Sequence, residues 1–137
     1  MKLSTKINER IVIRQSKYVD VVRLASRAKK ERVSMANPEG AIWFCAYSED
    51  NVVGFVCLVI NKRSGVARFK SDYIIDSYRG FGIYKLLFRW RMLFCSFCKI
   101  KKATAFCTPM SYPTYIKNGF KPKSKKGDIV FVEKVLC

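Results

Sequence analysis

Arg79, Gly80 and Gly82 stand directly before a run whose apolar residues recur at helical spacing from Ile83 onward. Glycines let a ligand approach the backbone. The free N–H groups of a helix's first turn point outward at the positive end of the helix dipole, and an arginine adds a charged donor. That combination holds an anion, although a tight turn uses the same residues. Histidine is absent. Its absence removes imidazole acid–base chemistry, the Ser-His-Asp and Cys-His nucleophiles and His-ligated metal. Cys95 and Cys98 are spaced C-x-x-C among Leu93, Phe94 and Phe97, where thiols read as small apolar residues. A zinc site would need two more ligands, and only Cys107 is near, so no metal is expected.

These residues need elements to position them. The chain has 137 residues, 50% hydrophobic and 14% aromatic, which is read as one domain, 1–137, able to bury its own core. Glu9–Arg14 reads as a strand. Ser16 is a good N-cap for a helix to about Lys30, with Val19, Val22, Leu24 and Ala28 turned inward. Ser34–Gly40 is a short helix or loop. Ile42–Tyr47 and Val52–Ile60 form a hairpin across Ser48-Glu49-Asp50-Asn51, and Val66–Ile75 extends it into a meander. A helix from Ile83 carries Leu86, Leu87, Trp90, Phe94 and Phe97 at core spacing. Ala103–Cys107 reads as a strand and Ser111–Asn118 as a short helix with Gly119 at its C-cap. Phe120 and Ile129–Leu136 close the chain around a Lys-rich tip. The expected class is α+β, with a mixed, mostly antiparallel sheet. The longest apolar run, Val52–Ile60, is far short of the ~20 residues of a membrane span. No apolar segment follows the N-terminal charges, so the six cysteines are expected as reduced thiols in a cytoplasm, that of the host if the source is viral.

Charge points to a partner. Lys and Arg number 27 against 10 Asp and Glu, a formal charge of +17. The excess gathers at Arg23–Arg32, at Lys85, Arg89, Arg91 and Lys99–Lys102, and at Lys117–Lys126. A solvated surface explains charge runs in general. An excess of one sign along the whole chain favours a polyanion, nucleic acid first. Trp43, Phe44, Tyr47 and Tyr73 offer rings for a base to stack on, or a core.

The run Asp72-Tyr73-Ile74-Ile75-Asp76-Ser77-Tyr78-Arg79-Gly80-Phe81-Gly82-Ile83-Tyr84-Lys85 resembles motif A of the GNAT N-acetyltransferases, Arg/Gln-x-x-Gly-x-Gly/Ala. Tyr115-Ile116-Lys117-Asn118-Gly119-Phe120 resembles the same family's late Tyr-x-x-x-Gly-Phe motif. The likeness runs from about Glu9 to Leu136. It departs from the pattern at Tyr84, where the family has Gly or Ala, and at Pro109 and Met110, where an Asn is common.

The resemblance implies acetyl-CoA, or another acyl-CoA, as donor. Arg79 and the amides of Gly80, Phe81, Gly82, Ile83 and Tyr84 would bind its pyrophosphate. The backbone of Ile74 and Ile75 would pair with pantetheine, and an N–H near Ile74 would polarise the thioester carbonyl. Tyr115 would be the general acid toward the departing thiolate. Asp72 would be the base, or else an exposed strand carboxylate balancing Lys70 or Arg68. Ser111 is a CoA contact or a helix cap. Lys85, Arg89, Lys121, Lys123, Lys125 and Lys126 are the expected nucleic-acid contacts. The expected acceptor is an amine of a DNA base, as in the small GNAT-like proteins of phages that modify DNA. Aminoacyl-tRNA, a protein amine, and an inactive nucleic-acid-binding module remain alternatives. Oligomeric state is left open.

Overall fold

The computed structural model describes residues 2–3 and 10–137, so Glu9 of the first expected strand lies outside the described residues. The elements run β1 Lys2–Leu3, β2 Ile11–Ser16, α1 Tyr18–Val21, a 3₁₀ turn Val22–Leu24, α2 Ala25–Lys30, β3 Ala41–Ser48, β4 Asn51–Asn61, β5 Val66–Ile74, a 3₁₀ turn Asp76–Tyr78, α3 Ile83–Phe97, β6 Lys102–Cys107, α4 Tyr112–Lys117, β7 Lys121–Lys126 and β8 Ile129–Val135. The strands form one sheet in the order β1-β2-β3-β4-β5-β6-β8-β7. Every described pair is antiparallel except β5–β6, which is parallel. The α+β class and the mostly antiparallel sheet agree with the sequence reading. Among the described residues no helix is long and apolar enough to cross a membrane.

Strand alternation gives the sheet two apolar faces, and each takes helices. On one face Phe44, Leu58, Phe69, Ala103, Ala105 and Val132 pack against Ile83, Leu87, Phe88 and Cys95 of α3 and Tyr115 of α4. On the other, Trp43, Cys45, Phe55, Cys57 and Tyr73 pack against Val21, Leu24 and Ala28 of the N-terminal helical segment. Among the described residues, that second core draws its strand residues from β3, β4 and β5 and takes none from β6, β7 or β8.

Three expectations fail for local reasons. The helix expected from Ser16 to Lys30 is two short α segments joined by a 3₁₀ turn. Ser16 ends β2, and its hydroxyl is hydrogen-bonded with Tyr47 at 2.9 Å instead of capping a helix. The tighter turn shifts the phase, so Val21 is buried while Val19 and Val22 face solvent. The Lys-rich stretch expected as a hairpin tip is strand β7 itself, held through its backbone to β8, and the tip is Gly127-Asp128. All six β7 residues are exposed, so no apolar alternation announced it. Phe97, expected inward, is exposed at the end of α3.

Candidate functional site

Strands β5 and β6 pair from Val66↔Lys102 to Phe69↔Ala105 and then separate. Their diverging ends and the first turn of α3 enclose a cavity of about 230 Å³. Its wall includes Ile74, Arg79, Gly80, Gly82 and Lys85 on one side and Thr108, Met110 and Ser111 on the other. Asp72 and Tyr84 also line it.

A β-bulge sets the orientation of Asp72. Phe55 pairs with Tyr73 and Cys57 with Lys70, so Val56 alone faces both Ser71 and Asp72. Ser71 takes the left-handed conformation, φ 59°. Unbroken alternation from Lys70 through Ser71 would put Asp72 on the same face as Lys70, toward the N-terminal helices. The bulge instead turns Asp72 toward α3.

There it meets Arg91, whose side chain is fully buried although the sequence reading placed it in a surface cluster. Arg91 donates to both Asp72 oxygens, at 2.7 and 2.9 Å, and to the Cys57 carbonyl opposite the bulge at 2.9 Å. It also donates to the Tyr115 hydroxyl at 3.1 Å, and its guanidinium lies 4.1 Å over the Phe69 ring. Tyr115 in turn donates to Asp72 Oδ2 at 2.8 Å, and Tyr84 donates to the same oxygen. Burial would lower the guanidinium pKa, but Asp72 and then the two phenols more than offset it, and the net direction is up. Burial pushes both phenols well above their ordinary range. Asp72 adds to the rise in each, and Arg91 opposes it.

These contacts change the reading of two residues. Asp72 is paired and nearly enclosed, its side chain 7% exposed. It has the surroundings of an anchoring anion, not of a base facing an acceptor amine. Tyr84, which departs from the GNAT pattern, turns its hydroxyl to Asp72 and its ring edge to Phe88. It therefore forms part of the cavity floor. Tyr115 lies behind Asp72, 2% exposed, and its ring packs among Phe69, Phe88 and Phe120.

The glycine loop is formed as an anion cradle requires. Gly80 and Gly82 have φ of 82° and 90°, and a Cβ added to either would meet nothing within 4 Å. Gly82 caps α3, leaving the first-turn N–H groups of Ile83, Tyr84 and Lys85 without helical acceptors. The Arg79 side chain, expected on a phosphate, is already engaged. Its Nη2 lies 2.7 and 2.8 Å from the Glu31 oxygens, and its Nε donates to the Ile74 carbonyl at 2.9 Å. Lys85, expected on nucleic acid, lines the cavity and is the exposed cation there. Arg89 is exposed one turn further along α3.

Of the two backbone positions expected to pair with a ligand, Ile75 is occupied, since its N–H bonds the Val53 carbonyl at 2.9 Å. Alternation in the antiparallel ladder then turns the Ile74 N–H to the opposite edge, toward the gap between β5 and β6. Ser111 precedes α4 without a side-chain cap bond. Burial pushes the Cys107 thiol up to about 12, so it stays protonated at neutral pH. Lys121, Lys123, Lys125 and Lys126 are exposed on β7, apart from the cavity. Of the aromatics expected to stack on a base, Tyr73 alone lines the cavity, and none offers an open face. Trp43, Phe44 and Tyr73 are buried, and Tyr47 is half-buried beneath Arg14.

No family model and no curated protein matches the sequence. Solved structures do match the fold. The PaiA N-acetyltransferase of Thermoplasma acidophilum, solved with coenzyme A, superposes with a TM-score of 0.75 at 17% identity, over 92% of this chain and 99% of that one. The GNAT domain of S. lividans PAT gives a TM-score of 0.76 at 12% identity, over 99% and 96% of the two chains. The N-acetylglutamate synthase of Neisseria gonorrhoeae, solved with coenzyme A and L-arginine, gives 0.74 at 12% identity over 92% of this chain and 33% of that one. The chain therefore has the GNAT acetyltransferase fold.

Proposed function

We propose that this protein is an acyl-CoA-dependent N-acyltransferase whose acceptor is an amine of nucleic acid, a DNA base ahead of tRNA. The observation that carries the first half is the cavity between the diverging strands β5 and β6, closed by the open glycine loop at the start of α3. Acyl-CoA, when bound, supplies a thioester carbonyl for an amine to attack and a thiolate to leave. The first-turn amides and Lys85 would hold its pyrophosphate. The Ile74 N–H, on the open edge of β5, would take a pantetheine or thioester oxygen. Arg79, through Glu31 and the Ile74 carbonyl, would fix the loop against α2 instead of binding phosphate itself.

Tyr115 would serve as proton donor on the ground of the motif resemblance alone, since its hydroxyl is held by Asp72 and Arg91 and is not among the groups lining the cavity. After the proton leaves, the Arg91 Nη2 at 3.1 Å would hold the phenolate. Asp72 would orient both phenols, and the incoming amine would lose its proton to water in the cavity. The nucleic-acid half rests on the charge of +17 and on the exposed lysines of β7.

A transfer assay with labelled acetyl-CoA tests the proposal. Its acceptors are ordinary DNA, DNA carrying an aminomethyl pyrimidine, charged tRNA and a protein extract. Label is expected in DNA nucleosides. Label only in tRNA or protein overturns the DNA acceptor, and failure of CoA to bind in a calorimetric titration overturns the acyltransferase.

A further inference from the structure

The half of the second sheet face that lies outside the second core carries an aromatic pair. Lys102, Thr104 and Phe106 alternate along β6 with Ala103, Ala105 and Cys107, which are buried in the core beneath α3. Phe106 is thus turned to the face opposite α3, where it is 64% exposed, whereas Thr104 beside it on that face is buried. Its cross-strand partner is the half-buried Phe131 of β8, with ring centroids 4.8 Å apart. Ser124 of β7 follows in the same row. Arg68 of β5, exposed and in register with Thr104, stands in the next row. Beyond the rings, at the sheet edge, Lys121 and Lys126 share this face through their register with Glu133 and Ile129, while Lys125, opposite Val130, belongs to the other face. Two carboxylates lie nearby, and both are paired: Glu133 with Lys102 at 3.8 Å and Asp128 with Arg32 at 2.7 Å.

We infer that this surface docks single-stranded DNA, with a base stacked on Phe106 and Phe131 and the following phosphates on Lys121 and Lys126 of β7. The inference deepens the nucleic-acid reading above and rests on it. Aromatic faces beside a cationic track are what a single strand needs, because every base has a π-face and every linkage a charge. A duplex hides its base faces. A phenyl ring also gains apolar contact with the methyl group of thymine, which uracil lacks. A second copy of the chain suits the surface poorly. Each copy would bring +17, and lysines along an edge strand oppose strand-to-strand pairing. The surface also adjoins the cavity. Thr108, which lines it, is two residues beyond Phe106, at most about 7 Å along the chain. A strand anchored on Phe106 would therefore present its neighbouring nucleotide at the cavity mouth.

Fluorescence anisotropy with labelled oligothymidylate, oligouridylate and duplex DNA tests this. Oligothymidylate is expected to bind tightest, and Phe106→Ala to weaken it about tenfold or more. Changing the four β7 lysines to Gln is expected to flatten the salt dependence by about 0.7 in log–log slope for each phosphate no longer neutralised. Phe106 is exposed, so its replacement empties no core, and a thermal melt of each variant confirms that the fold persists. Unchanged oligothymidylate binding by Phe106→Ala overturns the docking surface, as does duplex binding as tight as the single strand. Tighter binding of oligouridylate overturns the DNA assignment. A dimer in sedimentation that Phe106→Ala dissociates gives the face to a second copy and overturns it as well. Oligonucleotide binding that depends on Phe106 in a protein that binds no CoA leaves this inference standing and removes only the acyltransferase.

Discussion

Arg91 and the β7 lysines carry the same charge in opposite surroundings. Arg91 is out of water entirely, bound to a carboxylate, a carbonyl and a phenol. Lys121, Lys123, Lys125 and Lys126 extend from an edge strand held by backbone bonds to one neighbour. A buried charge is tied to its partners because the alternative is desolvation without compensation. An exposed charge has water as its partner and is free to exchange it for a phosphate. The fold therefore depends on the first kind of cation, and the second is available for binding.

Arg91→Met is the strongest way to break that contrast. It leaves Asp72 buried and unpaired, and should cost about 3–5 kcal/mol in urea unfolding. Adding Asp72→Asn to it should restore part of the loss, since the orphaned charge is then gone. If Arg91→Met unfolds at the wild-type urea concentration, the ion pair is not a structural anchor.

Tyr115→Phe separates anchoring from chemistry. It removes one of the donors to Asp72, about 1–3 kcal/mol in stability. If Tyr115 donates the proton, kcat for acetyl transfer should fall at least about a hundredfold with CoA affinity unchanged. A variant that keeps its turnover assigns Tyr115 to packing alone.

High pH sharpens the contrast from the buried side. Burial raises the thiols of Cys45, Cys57 and Cys95 to about 11, and the phenols of Tyr84 and Tyr115 move in the same direction from a higher starting value. In each case the folded protein keeps a proton that the unfolded chain has already lost. The stabilisation is complete below about pH 9 and disappears as pH rises toward 11 and beyond. Melting under reducing conditions should show a lower Tm at about pH 10 than at about pH 8. A flat profile would mean that these groups titrate alike in both states.

The smallest effect is expected on the exposed side. Changing the four β7 lysines to Gln should alter stability by no more than about 0.5 kcal/mol per site. A large loss in thermal melts would show that β7 is held by its side chains, and the contrast with Arg91 would fail.

Much of this molecule was legible in its sequence. The hairpin of β3 and β4, the loop at Arg79–Gly82 and the helix from Ile83 follow from turn residues and apolar period. Arg91 did not, because a lone arginine inside a helical run reads as a surface cation whatever lies opposite. The bulge at Ser71 was equally hidden, since no glycine marks it, and only the register against β4 reveals the extra residue. Strand β7 lacked signal because none of its side chains is buried.

What the sequence determined by itself was the class of fold, the glycine loop ahead of α3 and the excess of positive charge. These depend on local conformational preference and on composition, which are properties of neighbouring residues. Only the tertiary structure decided that Asp72 is paired with Arg91, that Arg79 is committed to Glu31, and that Phe106 is exposed while Trp43 and Tyr73 are buried. Each of those outcomes depends on which residues distant in sequence come together across a strand, a bulge or a helix face. That choice is made by the packing of the whole sheet.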